Sequence, residues 1–175
     1  TLAQFDGEYE VLYPPTAITA VPEFVLVPRG GTALLDAAGV FITEVGDQLA
    51  ALPEDQRPGQ VICLIMTDGM ENASHRWTWE ALKALIIQQR EVYGWKFIFL
   101  GADIDAVEVG ERMGVDRRYA MTFDKRSHTG NRAAYARASS MVTGFKRDYL
   151  DEGFTDDDRA RAMGEAPKKK RQRGA

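Results

Sequence analysis

The stretch VICLIMTDGMENAS, Val61 to Ser74, is apolar from Val61 to Met66 and then stops on Thr67, an acid and a glycine. An aspartate closing so apolar a strand has a task other than packing. In open α/β sheets, ligands bind beyond the carboxyl ends of the strands, and Asp68 stands at such an end. A second candidate is Thr32 in PRGGT, just before an apolar helical stripe, where Gly30 and Gly31 permit unusual backbone angles. A hydroxyl and a carboxylate on one rim suit a hard cation such as Mg2+, which takes oxygen ligands and keeps several waters. Plainer uses exist for both. A threonine before a helix caps it, and Asp-Gly after a strand makes a turn.

The elements that position these residues can be read from pattern. TLAQF and EYEVLY flank Asp6-Gly7, a hairpin signal. PPTAITAVPEFVLVPRGG has too many prolines for a central strand and reads as a long loop. Leu35, Ala38, Ile42, Val45 and Leu49 form one apolar helical stripe. VICLIM does not alternate, which predicts a parallel central strand buried on both faces. A helix is expected from Thr78, its N-cap, with Glu80 in the first turn and Trp79, Leu82 and Ile86 facing inward. WKFIFL is another strand, DAVEVGERMG a short helix closed by Gly114, and RYAMTF a further strand. Ala134, Ala138, Met141 and Phe145 stripe the last helix. Strands alternating with helices predict a doubly wound α/β sheet with helices on both faces. From Asp151 onward acids and then bases replace apolar residues, so one domain is expected over 1–150, followed by a charged, flexible tail over 151–175.

The 175 residues, 45% hydrophobic and 27% charged, are those of a globular chain. The single cysteine, Cys63, cannot form an internal disulfide, which points to a reducing compartment. No stretch reads as a membrane span or signal peptide. The chain opens on Thr1 inside an alternating stretch, and the expectation is a processed, split or trimmed chain. Its net charge of −4 is divided: in EAPKKKRQRGA five bases face one acid, so the tail is about +4 and the rest about −8. Nucleic-acid contact is expected of nothing but that tail. His75 and His128 lack zinc-ligand spacing, and Asn72-Ala73-Ser74 fits a glycosylation acceptor by chance. Trp77, Trp79 and Trp95 read as core or helix-seating residues.

PRGGTALLDA, LIMTDGMENAS and GWKFIFLGADIDA, in this order, resemble the von Willebrand factor A (VWA) domain, and more narrowly its bacterial and phage branch. The similarity runs from about Leu2 to the last helix. It implies a Rossmann-like sheet and a metal-ion-dependent adhesion site in which Mg2+ or Mn2+ is held by an Asp-x-Ser-x-Ser loop, a threonine and an aspartate, and completed by an acidic side chain of a protein partner. Thr32 matches the threonine and Asp68 the aspartate. The Asp-x-Ser-x-Ser loop is absent from this chain, and with it the family's first strand. The resemblance therefore implies a protein–protein interaction module, not an enzyme, with a partial ion site. Ion binding by this chain alone is expected to be weak or nil. The family's strand order would leave a place between TLAQF and VICLIM, which a partner chain or segment bearing the serine loop would fill. Localisation is expected to be cytoplasmic or virion-associated.

Two other readings remain open. One takes the chain as a structural component of a larger assembly, such as a phage particle, that uses no metal. Alternatively, Asp103-Ile104-Asp105 echoes haloacid-dehalogenase-type phosphatases, in which one aspartate attacks phosphate and the other protonates the leaving group. That chemistry also needs a lysine and a further acidic pair on neighbouring loops, and the sequence places none convincingly. No Gly-x-x-x-x-Gly-Lys loop supports nucleotide hydrolysis.

Overall fold

The computed structural model describes residues 1–25, 30–146 and 153–166. Mixed α/β structure is present, with a three-stranded parallel sheet and helices. Where the sequence predicts one domain over 1–150, the chain divides into two compact units. Thr1–Gly59 with Met70–Ile86 forms the first, and Gln60–Gly69 with Ile87 onward the second.

In the first unit, β1 (Leu2–Phe5) and β2 (Tyr9–Tyr13) make the antiparallel hairpin that Asp6-Gly7 predicts. The Asp6 carboxylate accepts from the Glu8 N–H at 2.7 Å, an Asx turn that closes the loop. The proline-rich segment carries only a short 3-10 turn at Ile18–Ala20 among its described residues. Helix α1 (Leu34–Ala50) buries Leu34, Leu35, Ala38 and Ile42, while Val45 and Leu49 of the predicted stripe are half-buried. On α1, a Cβ at Gly39 would run into the Trp77 indole, so the glycine is what admits the ring. Helix α2 (Trp79–Glu91), which belongs to this unit as far as Ile86, buries Leu82 and Ile86, and Thr78 caps it as predicted, its Oγ1 accepting from the Ala81 N–H at 3.2 Å.

The second unit holds β3 (Ile62–Thr67), β4 (Lys96–Ala102) and β5 (Ala120–Phe123), all parallel, in the order β3-β4-β5. Helix α3 (Ala106–Met113) ends on Gly114 at φ 95°, the left-handed stop that glycine provides. Helix α4 (His128–Lys146) buries Ala134, Ala138, Met141 and Phe145, the predicted stripe. They join Ile98, Leu100 and Met121 of the sheet in one core.

Two expectations are corrected here. The β3 strand is not a central strand buried on both faces. Among the described residues it pairs with β4 alone, so its outer edge has no ladder. Cys63, Ile65 and Thr67 are buried, but Ile62 and Met66 only border the core, and Leu64 between them is 42% exposed. The other correction concerns the chain after Asp151. Residues 153–166 do contribute to the core. Phe154, just before α5 (Asp156–Ala162), and the fully buried Ala162 at the end of that helix belong to the same cluster as Met141 and Phe145. The helix begins in a capping box between Thr155 and Asp158, with acids in its first turn and arginines in its last, which suits the helix dipole. Arg137 bonds the Asp158 carboxylate at 3.0 Å and the Gly153 carbonyl at 2.7 Å, and its guanidinium lies over the Phe154 ring. The basic tail from Lys168 onward lies outside the described residues.

Phe154→Ala is expected to cost about 3 kcal/mol, the usual range for emptying a buried aromatic site. Urea denaturation of the full chain measures it. A loss under about 0.5 kcal/mol would show that this segment adds nothing to the core.

Candidate functional site

Thr32 lies in the first unit, in a loop clamped from both sides of its peptide. Its N–H donates to Asn72 Oδ1 at 2.9 Å, and its carbonyl accepts from the Asn72 N–H at 3.0 Å. It does not cap α1; Ala33 holds the N-cap position and makes no side-chain bond. Gly31 does not adopt a left-handed angle, and what it offers there is space. A Cβ there would lie 3.2 Å from the Ala73 Cβ, whereas the glycines at positive φ are Gly94, Gly114, Gly153 and Gly164.

The cap of α1 comes from elsewhere in the chain. Glu71 Oε2 accepts from the Leu35 N–H at 3.0 Å, and Ser74 Oγ from the N–H groups of Leu35 and Asp36 at 3.1 and 3.0 Å. Glu71 also takes the Ser74 hydroxyl at 2.7 Å and the N–H groups of Ala73 and Ser74. The Asp36 carboxylate answers by accepting from the N–H groups of His75, Arg76 and Trp77 at 2.7–2.9 Å. Burial alone would raise both acids, but these donors outweigh it and hold both carboxyls below their ordinary range. Sequence pattern missed Glu71, Ser74 and Asp36 as a set. The signal was a Ser/Asp/Glu-rich loop beside a helix that lacks its own cap.

Asp68 lies in the second unit, where the parallel sheet gathers its carboxyl ends. Asp68 follows β3, Asp103 follows β4 and Lys125 follows β5. The Lys125 ammonium stands 4.0 Å from Asp68 Oδ2 and 3.9 Å from Asp103 Oδ2, and donates to the Asp68 carbonyl at 3.4 Å. The Asp68 side chain is 82% exposed. Asp103 sits at φ 55°, the only non-glycine in the left-handed region among the described residues, a conformation that aspartate tolerates better than most. Asn131 Nδ2 holds the Lys125 carbonyl at 3.0 Å and so anchors the loop behind the ammonium.

These residues do not fit a divalent ion unaided. Among the described residues no three of His, Cys, Asp and Glu come together as an ion site. The charged partner at Asp68 is a lysine, which donates and cannot ligate in its charged form. Thr32 and Asp68, matched to the ion-site pattern, belong to different units, and each is described within its own.

For the phosphatase reading, the structure supplies a lysine near Asp103 but commits the other aspartate. Asp105 caps α3, accepting from the N–H groups of Val107 and Glu108 at 3.1 and 3.0 Å. Cys63 is buried, which pushes its thiol up to about 12 and leaves it unreactive at neutral pH. An open hollow of about 450 Å3 in the first unit is lined by Tyr9, Val40 and Arg76 among others. Its Asp36 carboxylate is already taken by the three N–H groups above, and the Tyr9 hydroxyl donates to Glu44 at 2.9 Å. No helix among the described residues is long and apolar enough to cross a membrane. Comparison with protein-family models, curated proteins and solved structures finds no match to this chain.

Glu71→Gln puts an amide NH2 against N–H donors and is expected to cost about 2 kcal/mol at pH 7. Since the folded carboxyl lies below its unfolded value of about 4.3, its contribution is complete above that value. It disappears as the pH falls through the lower folded one. The gap between wild type and variant, followed by urea denaturation, should therefore close as the solution is acidified below about pH 4. A gap that persists at pH 2 would mean the charge is not what holds the loop.

Proposed function

We propose that this chain is a protein–protein interaction module resembling the VWA domain, with no catalysis of its own. Its fold on this reading is a Rossmann-like doubly wound sheet incomplete at the first strand. A partner chain or segment adds an apolar strand beside β3 and brings the Asp-x-Ser-x-Ser loop. Thr32 and Asp68 are carried over as the family's threonine and aspartate, and Mg2+ or Mn2+ belongs to the completed form. The observation that supports this most is the outer edge of β3. An apolar strand whose outer edge has no ladder partner among the described residues, with Leu64 exposed, invites pairing with another strand. Asp68 at the end of that strand stands where an incoming loop would arrive.

Lys125 favours a second reading, a structural component of a larger assembly that uses no metal. An ammonium already stands 4.0 Å from the Asp68 carboxylate within the chain, so that acid has a cationic neighbour without any metal. The readings separate on whether the partner brings an ion.

Complementation is tested with a peptide that carries an apolar strand ending in Asp-x-Ser-x-Ser. Hydrogen exchange of β3 amides should slow on its addition. Leu64→Asp should cost the chain alone under about 1 kcal/mol, since the site is already half open, yet abolish the peptide's effect. If the peptide leaves β3 exchange unchanged while the chain alone unfolds cooperatively as a monomer, the domain is complete without a partner strand. Calorimetry should find Mg2+ uptake by the chain alone weak or nil. A tight stoichiometric site that survives Asp68→Ala would overturn the assignment of Asp68.

A further inference from the structure

We propose that Asp68-Gly69 is a site of spontaneous covalent modification, at which Asp68 is converted to isoaspartate, while the chain's other Asp-Gly pair, Asp6-Gly7, is protected by its own turn. The proposal concerns the backbone at the end of β3 and holds whether or not that rim takes an ion or a partner strand.

The chemistry is that of an aspartate followed by glycine. The Gly69 nitrogen attacks Cγ of the Asp68 carboxyl, and the new C–N bond closes a five-membered imide. The carboxyl C–O bond breaks, and its oxygen leaves as water with the carboxyl proton and the Gly69 N–H proton. Water then opens the ring at the Asp68 main-chain carbonyl, which breaks the original peptide C–N bond. The chain now runs through Cγ, one methylene longer, and the acid sits on Cα. No oxidant, reductant or other reactant is consumed. Glycine helps because no Cβ crowds the attacking nitrogen. In a folded chain the rate depends on how firmly the aspartate is held, and the two pairs differ. At Asp6 the N–H donates to the Glu8 carbonyl at 3.0 Å, the carbonyl accepts from the Ala33 N–H at 2.7 Å, and the carboxylate accepts from the Glu8 N–H at 2.7 Å. Asp68 lies beyond the last ladder pair of β3, Thr67 with Gly101. Its side chain is 82% exposed, and among the described residues its carboxylate accepts no hydrogen bond, its ion-pair partner Lys125 standing 4.0 Å away. The Lys125 ammonium reaches the Asp68 carbonyl at 3.4 Å and the Gly69 N–H reaches Thr67 Oγ1 at 3.3 Å, both longer than an ordinary hydrogen bond. Neither the nitrogen nor the carboxyl is fixed as those of Asp6 are. The chain passes from the second unit to the first between Gly69 and Met70, so the added methylene falls beside that crossing.

Ageing the full chain for weeks at neutral pH, then digesting it in mild acid and separating isoaspartyl from aspartyl peptides, reads both sites in one sample. Isoaspartate should form about ten-fold faster in the Asp68 peptide than in the Asp6 peptide, the factor that releasing two ordinary hydrogen bonds imposes. In guanidinium chloride, where neither site is held, the two rates should converge. Ageing in heavy-oxygen water should label the Asp68 product, as passage through the imide requires. Gly69→Ala should slow the reaction at Asp68 and leave Asp6 unchanged. Asp68→Glu should remove the product there, since its ring would be six-membered. Equal rates at Asp68 and Asp6 in the folded chain overturn the proposal, and so does an Asp68 peptide that isomerises in denaturant alone. A difference that persists unchanged in denaturant also overturns it, because the cause then lies in the neighbouring residues and not in the fold.

Discussion

The first four N–H groups of an α-helix have no partner inside it, and the first unit is arranged around satisfying those of α1. The helix brings no cap of its own, since Ala33 cannot supply one. The acceptors are instead Glu71 and Ser74, far away in sequence, and the negative Glu71 sits well at a helix N-terminus. Asp36 in the first turn returns the service by closing the 75–77 loop. Asn72 then fixes Thr32, and the Ala33 N–H reaches the Asp6 carbonyl at 2.7 Å, which ties the hairpin tip to the same point. One unmet requirement of backbone chemistry thus locks three stretches of chain together.

In the second unit the organising constraint is strand direction. Parallel strands bring all their carboxyl ends to one rim, so whatever follows each strand becomes a neighbour of the others. Here that brings two carboxylates and an ammonium together. The contrast with α3 is informative. Asp105, only two residues beyond Asp103, turns inward on its own helix as a cap and takes no part in the rim. Two acids that look equivalent in the sequence are separated by one left-handed backbone angle at Asp103.

Much of the fold could be read from pattern because the physics was local. Asp6-Gly7 sets its turn within four residues, Thr78 caps the helix beside it, Gly114 stops α3, and the α4 stripe repeats at helical spacing. The misreadings share a cause. VICLIM has the composition of a central strand, but burial depends on which strands lie beside it, and that is not written in the strand. Helix α5 escaped because a seven-residue helix that buries Ala162, with Phe154 just ahead of it, has no periodicity to find, although Thr155-x-x-Asp158 was a legible cap. Of the candidate site, Asp68 and Thr32 stood out by motif. Lys125 did not, because its relation to Asp68 spans 57 residues and exists only through the sheet. Glu71 and Ser74 were hidden for the same reason, 36 and 39 residues from the N–H group they share.

The position of Cys63 gives the molecule a clock. It is the chain's one thiol, it is 5% exposed, and it lies in the strand that pairs with β4 alone among the described residues. A thiol reagent cannot reach it while the sheet is closed, so its rate of reaction counts the openings of β3 rather than any chemistry at the sulfur. Any chain that settles along the strand's other edge would make those openings rarer, and the single-site labelling rate would fall in proportion to the fraction of edge left unoccupied.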